Sequence, residues 1–167
     1  MVTPYYPPEP GACATRVSEL ARAWVEEGHE VHVLTGMPCY PDGVVKPGYQ
    51  GKLVVHEERM GVRVHRSWVN AQPNATTAQR VSYYGSFFAP VVLLGLTGVS
   101  QVDVVVATSP HIVAAVAGAV VAKLRGTPLV VEIRDVWPRV IWELGVWPRE
   151  SAIIKILEQV EVRLYRA

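Results

Sequence analysis

The chain has 167 residues, half of them hydrophobic and 19% charged, with sixteen basic side chains against fifteen acidic ones. That composition excludes intrinsic disorder, which is poor in apolar residues and rich in charge, and it suffices for one domain with a sizeable core. A net charge of +1, both signs mixed along the chain, lacks the basic surplus that displaces counterions from nucleic acid, so nucleic acid is set aside as a partner. Cys13 and Cys39 lie far apart without a C-x-x-C partner, the usage of reduced thiols in a cytosolic protein. No basic n-region followed by an apolar h-region opens the chain, and Asn74-Ala75-Thr76 has the form of a glycosylation signal without a secretion signal to give it meaning. Residues 87–99, with Pro90, Gly95 and Gly98, and residues 102–121, interrupted by Asp103, Ser109, Pro110 and His111, both fall short of the roughly 20 apolar residues of a membrane span.

In chain order, Val17, Leu20, Ala21, Trp24 and Val25 form one apolar stripe and predict a helix over 15–27, with Thr15 as its N-terminal cap, Gly28 as its terminator and Trp24 in the core. Glu30 to Thr35 predicts a strand. Residues 36–51 hold three prolines and four glycines and read as a long loop, the kind that carries function. Residues 53–57 and 62–69 read as two strands of a hairpin around Glu58-Arg59-Met60-Gly61. Residues 71–77 follow as a polar loop, and 78–99 as a weak helix broken at Pro90. Asp103 to Ala107 is a β-branched run suited to a buried parallel strand, Thr108-Ser109-Pro110 turns the chain, and Ile112 to Leu124 predicts a helix stopped by Gly126-Thr127-Pro128. Leu129 to Ile133 is another buried strand, and 151–166 a last helix.

Strands alternating with helices predict an α/β fold, a doubly wound parallel sheet that holds ligands at the carboxyl ends of its strands. The candidate loops are then 4–14, 35–52, 108–111 and 134–148. Only Met1-Val2-Thr3 precede the first loop, so the first, central strand is expected to be largely missing: either the true start lies upstream, or a strand tip is all that remains.

Within those loops, Pro7-Pro8-Glu9-Pro10-Gly11-Ala12 leads into a helix N-terminus, an intrinsic anion site, or is simply a proline-stiffened turn. Arg134 and Asp135, just past a buried strand and backed by Trp137, suit a strand-end site or a structural ion pair. G-x-G-x-x-G and G-x-x-x-x-G-K-[ST] are absent, which weakens NAD and ATP readings. The five histidines have no metal-ligand spacing: His29 and His32 fall on opposite faces of a strand, and His56 and His65 belong to the hairpin. His111 caps a strand-end loop, as a helix-start residue or a site residue. No G-x-S-x-G elbow supports a nucleophilic triad.

Taken together, Pro4-Tyr-Tyr-Pro-Pro-Glu-Pro-Gly11, Glu27-Gly-His-Glu-Val31, Leu34-Thr-Gly36, Tyr40-Pro-Asp-Gly43, Asp103 to Pro110 and Arg134-Asp-Val-Trp-Pro138 with Leu144-Gly145 closely resemble the N-terminal domain of family 4 glycosyltransferases. The likeness runs over essentially the whole chain and is nearest to bacterial transferases of O-antigen, capsule and colanic-acid-type polysaccharide synthesis. It implies a Rossmann-like half of a two-domain GT-B enzyme, retaining, with no metal and no cofactor. Residues 1–167 would be the acceptor-side domain, with the nucleotide-sugar half, and its E-x7-E-type motif, outside this sequence; alone it should not transfer sugar. The implied partners are a nucleotide-sugar donor and a lipid-linked sugar acceptor, at the cytoplasmic face of the inner membrane.

By the same resemblance, Gly11 and Ala12 match the glycine-rich loop that touches the donor diphosphate, where many relatives carry two glycines. Asp135 matches an acceptor-orienting or base-like position, and Arg134 a contact for phosphate or carboxylate. Ser109, His111 and Trp137 fall among acceptor-binding positions. His111 and Arg139 depart from the family's usual residues and leave the acceptor open. Tyr83 to Val99 matches a membrane-docking segment, with Phe87 and Phe88 facing the lipid and Arg80 meeting a lipid phosphate. The rival of another class is a non-catalytic membrane-surface or partner-binding module; a nucleotide-sugar epimerase is disfavoured by the Tyr-Tyr-Pro-Pro and Arg-Asp-Val-Trp-Pro segments.

Overall fold

The computed structural model describes residues 1–73, 76–109 and 111–166, so the turn proline Pro110 and Asn74 of the glycosylation signal lie outside it. Helix α1 (Ala12–Glu26) begins before Thr15: its N-cap is Gly11, at a φ of 112° that L side chains rarely adopt. Its buried stripe is Ala14, Val17 and Ala21, with Trp24 only half-buried beside it. Strand β1 (His32–Gly36) follows, then β2 (Val54–Arg59) and β3 (Val62–Ser67) as the expected hairpin. Met60 and Gly61, both at positive φ, supply the two-residue turn that matches the strands' twist.

Helix α2 (Thr77–Thr97) departs most from expectation, because it runs unbroken through Pro90. A proline inside a helix costs roughly 3 kcal/mol. Tyr83 and Phe87 before it and Val91 and Leu94 after it are all buried, and each such side chain contributes about 1.5–3 kcal/mol. The buried face therefore outweighs the lost hydrogen bond. Thr76 and Gln79 also close a capping box at its start. This corrects the placing of Phe87 against lipid: the residue is fully buried in the main core, and Phe88 is partly buried against it.

Strand β4 (Val105–Thr108), α3 (Ile112–Arg125), β5 (Leu129–Glu132), a short α4 (Arg139–Glu143) inside the expected loop 134–148, and α5 (Ala152–Leu164) complete the chain. At position 118 an added Cβ would stand 2.5 Å from the Ala107 Cβ, so glycine is what lets α3 lie on β4.

β1 pairs with β3 in parallel, β2 with β3 antiparallel, and β4 with β5 in parallel. Val2 bridges Leu34 of β1 on one side and Ala107 of β4 on the other, so the sheet reads β2–β3–β1–Val2–β4–β5. The sheet is mixed, which corrects the wholly parallel expectation: a two-residue turn can only return a strand antiparallel. Helices lie on both faces of the β1–β3 part. α1 packs on Val33, Val62 and Val64, while α2 and α3 pack on Leu34 and Ala107.

Residues 1–3 pair as a short strand tip between β1 and β4. Val2 N–H donates to Val106 O (2.7 Å), Leu34 N–H to Met1 O (2.8 Å) and Thr3 N–H to Leu34 O (3.1 Å). Behind the tip a slot of about 540 Å³ remains between β1 and β4, lined by Val31, Leu34, Val102, Val105 and Val121 among others. The Met1 amine donates to His32 O at 2.6 Å, and burial lowers its pKa to about 5.

Candidate functional site

Residues 4–11, 37–51, 109–111 and 133–138 follow the carboxyl ends of the strand tip, β1, β4 and β5, the edge where α/β sheets open a crevice. Two of these loops are fastened together. Glu9, 4% exposed, accepts N–H bonds from Cys39 (2.9 Å), Tyr40 (3.0 Å) and Tyr6 (3.4 Å). Burial raises its pKa against the pull of those three bonds. Beneath it the fully buried Arg66 donates to Glu57 Oε1 (2.7 Å), to Gly36 O (3.3 Å) and to Pro7 O. Burial works to raise the Glu57 pKa, but hydrogen bonds from Arg59 and Arg66 prevail and hold it below the usual carboxylate range. The loops thus rest on a buried ionic pedestal that starts in β2 and β3.

Between these loops and the start of α2 lies a cavity of about 660 Å³, lined by Tyr5, Gly11, Ala12, Tyr40, Arg80, Tyr84 and His111 among others. Its walls are aromatic. The rings of Tyr5 and Tyr40 are 5.4 Å apart, Tyr5 and His111 meet edge to face at 5.3 Å, and Tyr84 lies 5.2 Å from His111. The Tyr5 and Tyr84 hydroxyls stand 3.5 Å apart. Burial and then the Arg134 charge lower the His111 pKa to about 4, so its imidazole is neutral at pH 7 and offers one donor and one acceptor. Such rings present apolar faces with polar tips, suited to a ligand that is flat on one side and hydroxylated at its edge. Gly11 and Ala12 bring the N-terminus of α1 to the same cavity, where unpaired amides and the helix dipole favour an anion.

Of the residues singled out from sequence, Gly11, Ala12, Arg80 and His111 come together in this lining, whereas Ser109, Arg134, Asp135 and Trp137 do not. Ser109 N–H donates to Glu132 O (2.9 Å), extending the β4–β5 pairing by one residue. Arg134 is half-buried, near enough for its charge to weigh on His111, and Asp135 is exposed. Among the described residues no ion pair joins Arg134 to Asp135, so the structural-pair alternative for that segment is not what the fold uses. Trp137 is half-buried, and Phe87 and Phe88 lie away from the lining, in or against the core. Sequence reasoning missed Tyr5, Tyr40 and Tyr84. Their only signal is a tyrosine in each of two Pro-rich loops and one at the start of the helix that faces them. Burial and the Glu9 charge push the Cys39 thiol up to about 12, which leaves it an inert core residue. Among the described residues no helix is long and apolar enough to cross a membrane.

The family of glycosyl transferase 4-like domains matches residues 11–167. The chain belongs to that family. No curated protein and no solved structure is a significant match. Membership assigns this glycosyl transferase 4-like domain to glycosyl transfer, a reaction that brings a nucleotide sugar and an acceptor together. The matched span includes α1 and all the strand-end loops from Gly11 onward.

Proposed function

We propose that residues 1–167 are the acceptor side of a two-domain, retaining GT-B glycosyltransferase, one that moves a hexosyl group from a nucleotide sugar to a lipid-linked or saccharide acceptor in cell-surface polysaccharide synthesis. The observation that carries this reading is the aromatic cavity beside the α1 N-terminus: a ring-shaped, hydroxylated ligand suits Tyr5, Tyr40 and Tyr84, and a phosphate suits the helix end. His111, neutral, would take a hydroxyl of the acceptor. Asp135, exposed just past β5, would orient the reacting hydroxyl from the rim, and Arg134 would meet an acceptor phosphate or carboxylate. The nucleotide sugar would be held mainly by the second domain, with Gly11 and Ala12 closing on its diphosphate. Docking on the cytoplasmic face of a membrane would fall to the outward stripe of α2, where Val81 and Leu93 are each 62% exposed and Gly85 and Ala89 lie between them, rather than to Phe87.

The test is a ring-proton NMR titration of the tyrosines with a polyprenyl-diphosphate sugar and, separately, with nucleotide sugars. The acceptor should shift Tyr5, Tyr40 and Tyr84, and Tyr40→Ala should weaken its binding by about threefold to tenfold, the worth of one aromatic contact. Shifts at these rings from nucleotide sugar alone would reverse the assignment of the cavity.

A further inference from the structure

Three of the five histidines are joined in one chain of hydrogen bonds across the β1–β3–β2 part of the sheet. Glu30 Oε1 lies 2.8 Å from His32 Nε2, His32 Nδ1 lies 2.8 Å from His65 Nε2, and His65 Nδ1 lies 2.8 Å from His56 Nδ1. The rings of His32 and His65 stack at 5.1 Å, and that of His56 meets His65 edge-on at 5.0 Å. His32 is on β1, His65 on β3 and His56 on β2, so the chain crosses three strands; His56 and His65 are direct partners in the antiparallel register. The middle imidazole uses a different nitrogen toward each neighbour, so the nitrogens meet in pairs and do not converge on a point. Among the described residues no such group is arranged to hold a metal ion.

The polarity of the chain follows from its anchor. An ionised carboxylate only accepts, so Glu30 requires the proton on His32 Nε2. A neutral His32 then has a bare Nδ1, which accepts from His65 Nε2–H. His65 Nδ1 is in turn bare and accepts from His56 Nδ1–H. One proton sits in each gap, and no other neutral arrangement satisfies all three bonds. A proton added at the outer nitrogen of the exposed His56 breaks nothing. With His56 so charged, a further proton on His65 or on His32 places two donors face to face and breaks a bond between strands.

We propose that Glu30, His32, His65 and His56 form a one-way imidazole relay that latches the β2–β3 hairpin to β1 and releases it on acidification.

The surroundings agree. His32 and His65 are each 8% exposed. Burial first, then the charges of His32, His56, the Met1 amine and Arg63, lower the His65 pKa to about 4. Glu30, through its bond to His32 and then the Arg63 charge, stays below the usual carboxylate range and remains an acceptor as the pH falls. Glu58 shares the face of His56 and His65, opposite Arg63 in the register. α2, which packs on β1 and β3, carries no titratable side chain from Gly85 to Thr97, and Arg125 of α3 is turned to the carbonyls of Gly95, Leu96, Val99 and Ser100. His29 and Asp103 line the slot that His32 also borders. Release would reach the ligand edge, because Arg66, next in chain to His65, holds Pro7 O and draws its counterion Glu57 from β2.

The sign follows from linkage. The folded state refuses a proton that the unfolded chain accepts near pH 6.5, so the stabilisation is whole above that pH and is lost as the pH falls toward 4. One such group raises the unfolding constant at pH 4 by on the order of a hundredfold relative to pH 7.5.

Two measurements on the 167-residue chain decide the matter. Long-range nitrogen–proton NMR at pH 7.5 should find His32 and His65 protonated on Nε2 and His56 on Nδ1, the form that is the minor one in free histidine. In Glu30→Gln, whose exposed amide can donate as well as accept, His56 should become a mixture of both forms. His56 protonated on Nε2 in the unaltered chain would overturn the relay. Urea unfolding from pH 7.5 to 4 should show the unaltered chain losing the additional hundredfold that His65→Gln does not lose. Equal pH slopes for the two would overturn the latch, and the tautomer measurement stands even if the variant does not fold.

Discussion

The two ends of the sheet order are built on different principles. The β1–β3–β2 part is closed by charge: every residue of β1 is buried, Arg66 at its centre is fully buried with Glu57 as counterion, and an imidazole chain stitches the three strands. The β4–β5 part is mostly apolar and, apart from the buried Thr108, open on one face. α3 covers it through Ala114, Ala117 and Gly118, whereas Val104 and Val130 remain 44% and 51% exposed on the side that α1 reaches only by an Arg16–Glu132 ion pair. α5 buries only Ile154 and Leu164 and leaves Ile153, Ile156 and Val162 exposed. Stability is therefore concentrated in the first part, and the second, which carries Arg134 and Asp135, can lose side chains at modest cost. Function and stability should separate along this line.

The widest separation is expected at Asp135. In an enzyme completed with a nucleotide-sugar-binding half, Asp135→Asn should lower kcat by about 10²–10⁴-fold, the usual worth of orienting or general-base help. Exposed and, among the described residues, outside any ion pair, it should leave the urea midpoint of the domain where it was. An intact kcat with a lowered midpoint would move Asp135 from the site to the scaffold. Arg66→Met should do the reverse. Removing one partner of a buried pair costs about 3–5 kcal/mol. The lower end applies here, since Glu57 keeps bonds from Arg59 and Tyr49. A loss under about 1 kcal/mol by urea unfolding would mean that the pedestal is not what holds this part together.

Which of these features could be read in the sequence follows the same division. The β4 and β5 strands are visible as valine runs, and the helix between them as an alanine-rich stripe, because local composition and burial coincide there. The loops at the ligand edge are visible from their prolines and glycines. Arg66, His65 and His56 carry no such signal: their meaning arises when a hairpin register sets His56 opposite His65 and brings Arg66 beside Glu57, and pairing partners are not local. Pro90 misleads for a related reason, since a local rule against proline is overruled by tertiary burial of Phe87 and Val91. Of the cavity lining, Gly11, Ala12 and His111 stand on loops that strand-end position and resemblance single out, Arg80 is singled out only as a lipid-phosphate contact, and the tyrosines that form the walls carry no such mark, because three separate segments supply them.

Gly118→Val measures how tightly α3 is seated on the weaker part. The new side chain meets Ala107 Cβ with nowhere to go, and overpacking of this kind costs about 1–3 kcal/mol. If the β4–β5 part can shift as a body, the loss falls at the bottom of that range, and amide exchange in β4 and β5 rises without change in β1 and β3. A uniform rise across all strands would mean that the two parts unfold as one unit and that the contrast is only one of composition.

The smallest effect comes from making one change in both places. Val→Thr keeps shape and volume and adds a hydroxyl, so it reads how dry each position is. Val64 is fully buried in β3 among the apolar residues that pack with α1, out of reach of water, so Val64→Thr should cost about 1–3 kcal/mol for a buried hydroxyl. Val130, half exposed on β5, can hydrate the same group, and Val130→Thr should fall within about 0.5 kcal/mol of the unaltered chain. The difference between the two, taken from urea midpoints at constant slope, is the quantity of interest, because the chemistry cancels and only the environment remains. A Val130→Thr loss as large as that of Val64→Thr would show that the outer face of β4–β5 is covered in solution, and the division of the sheet into a closed and an open part would fail.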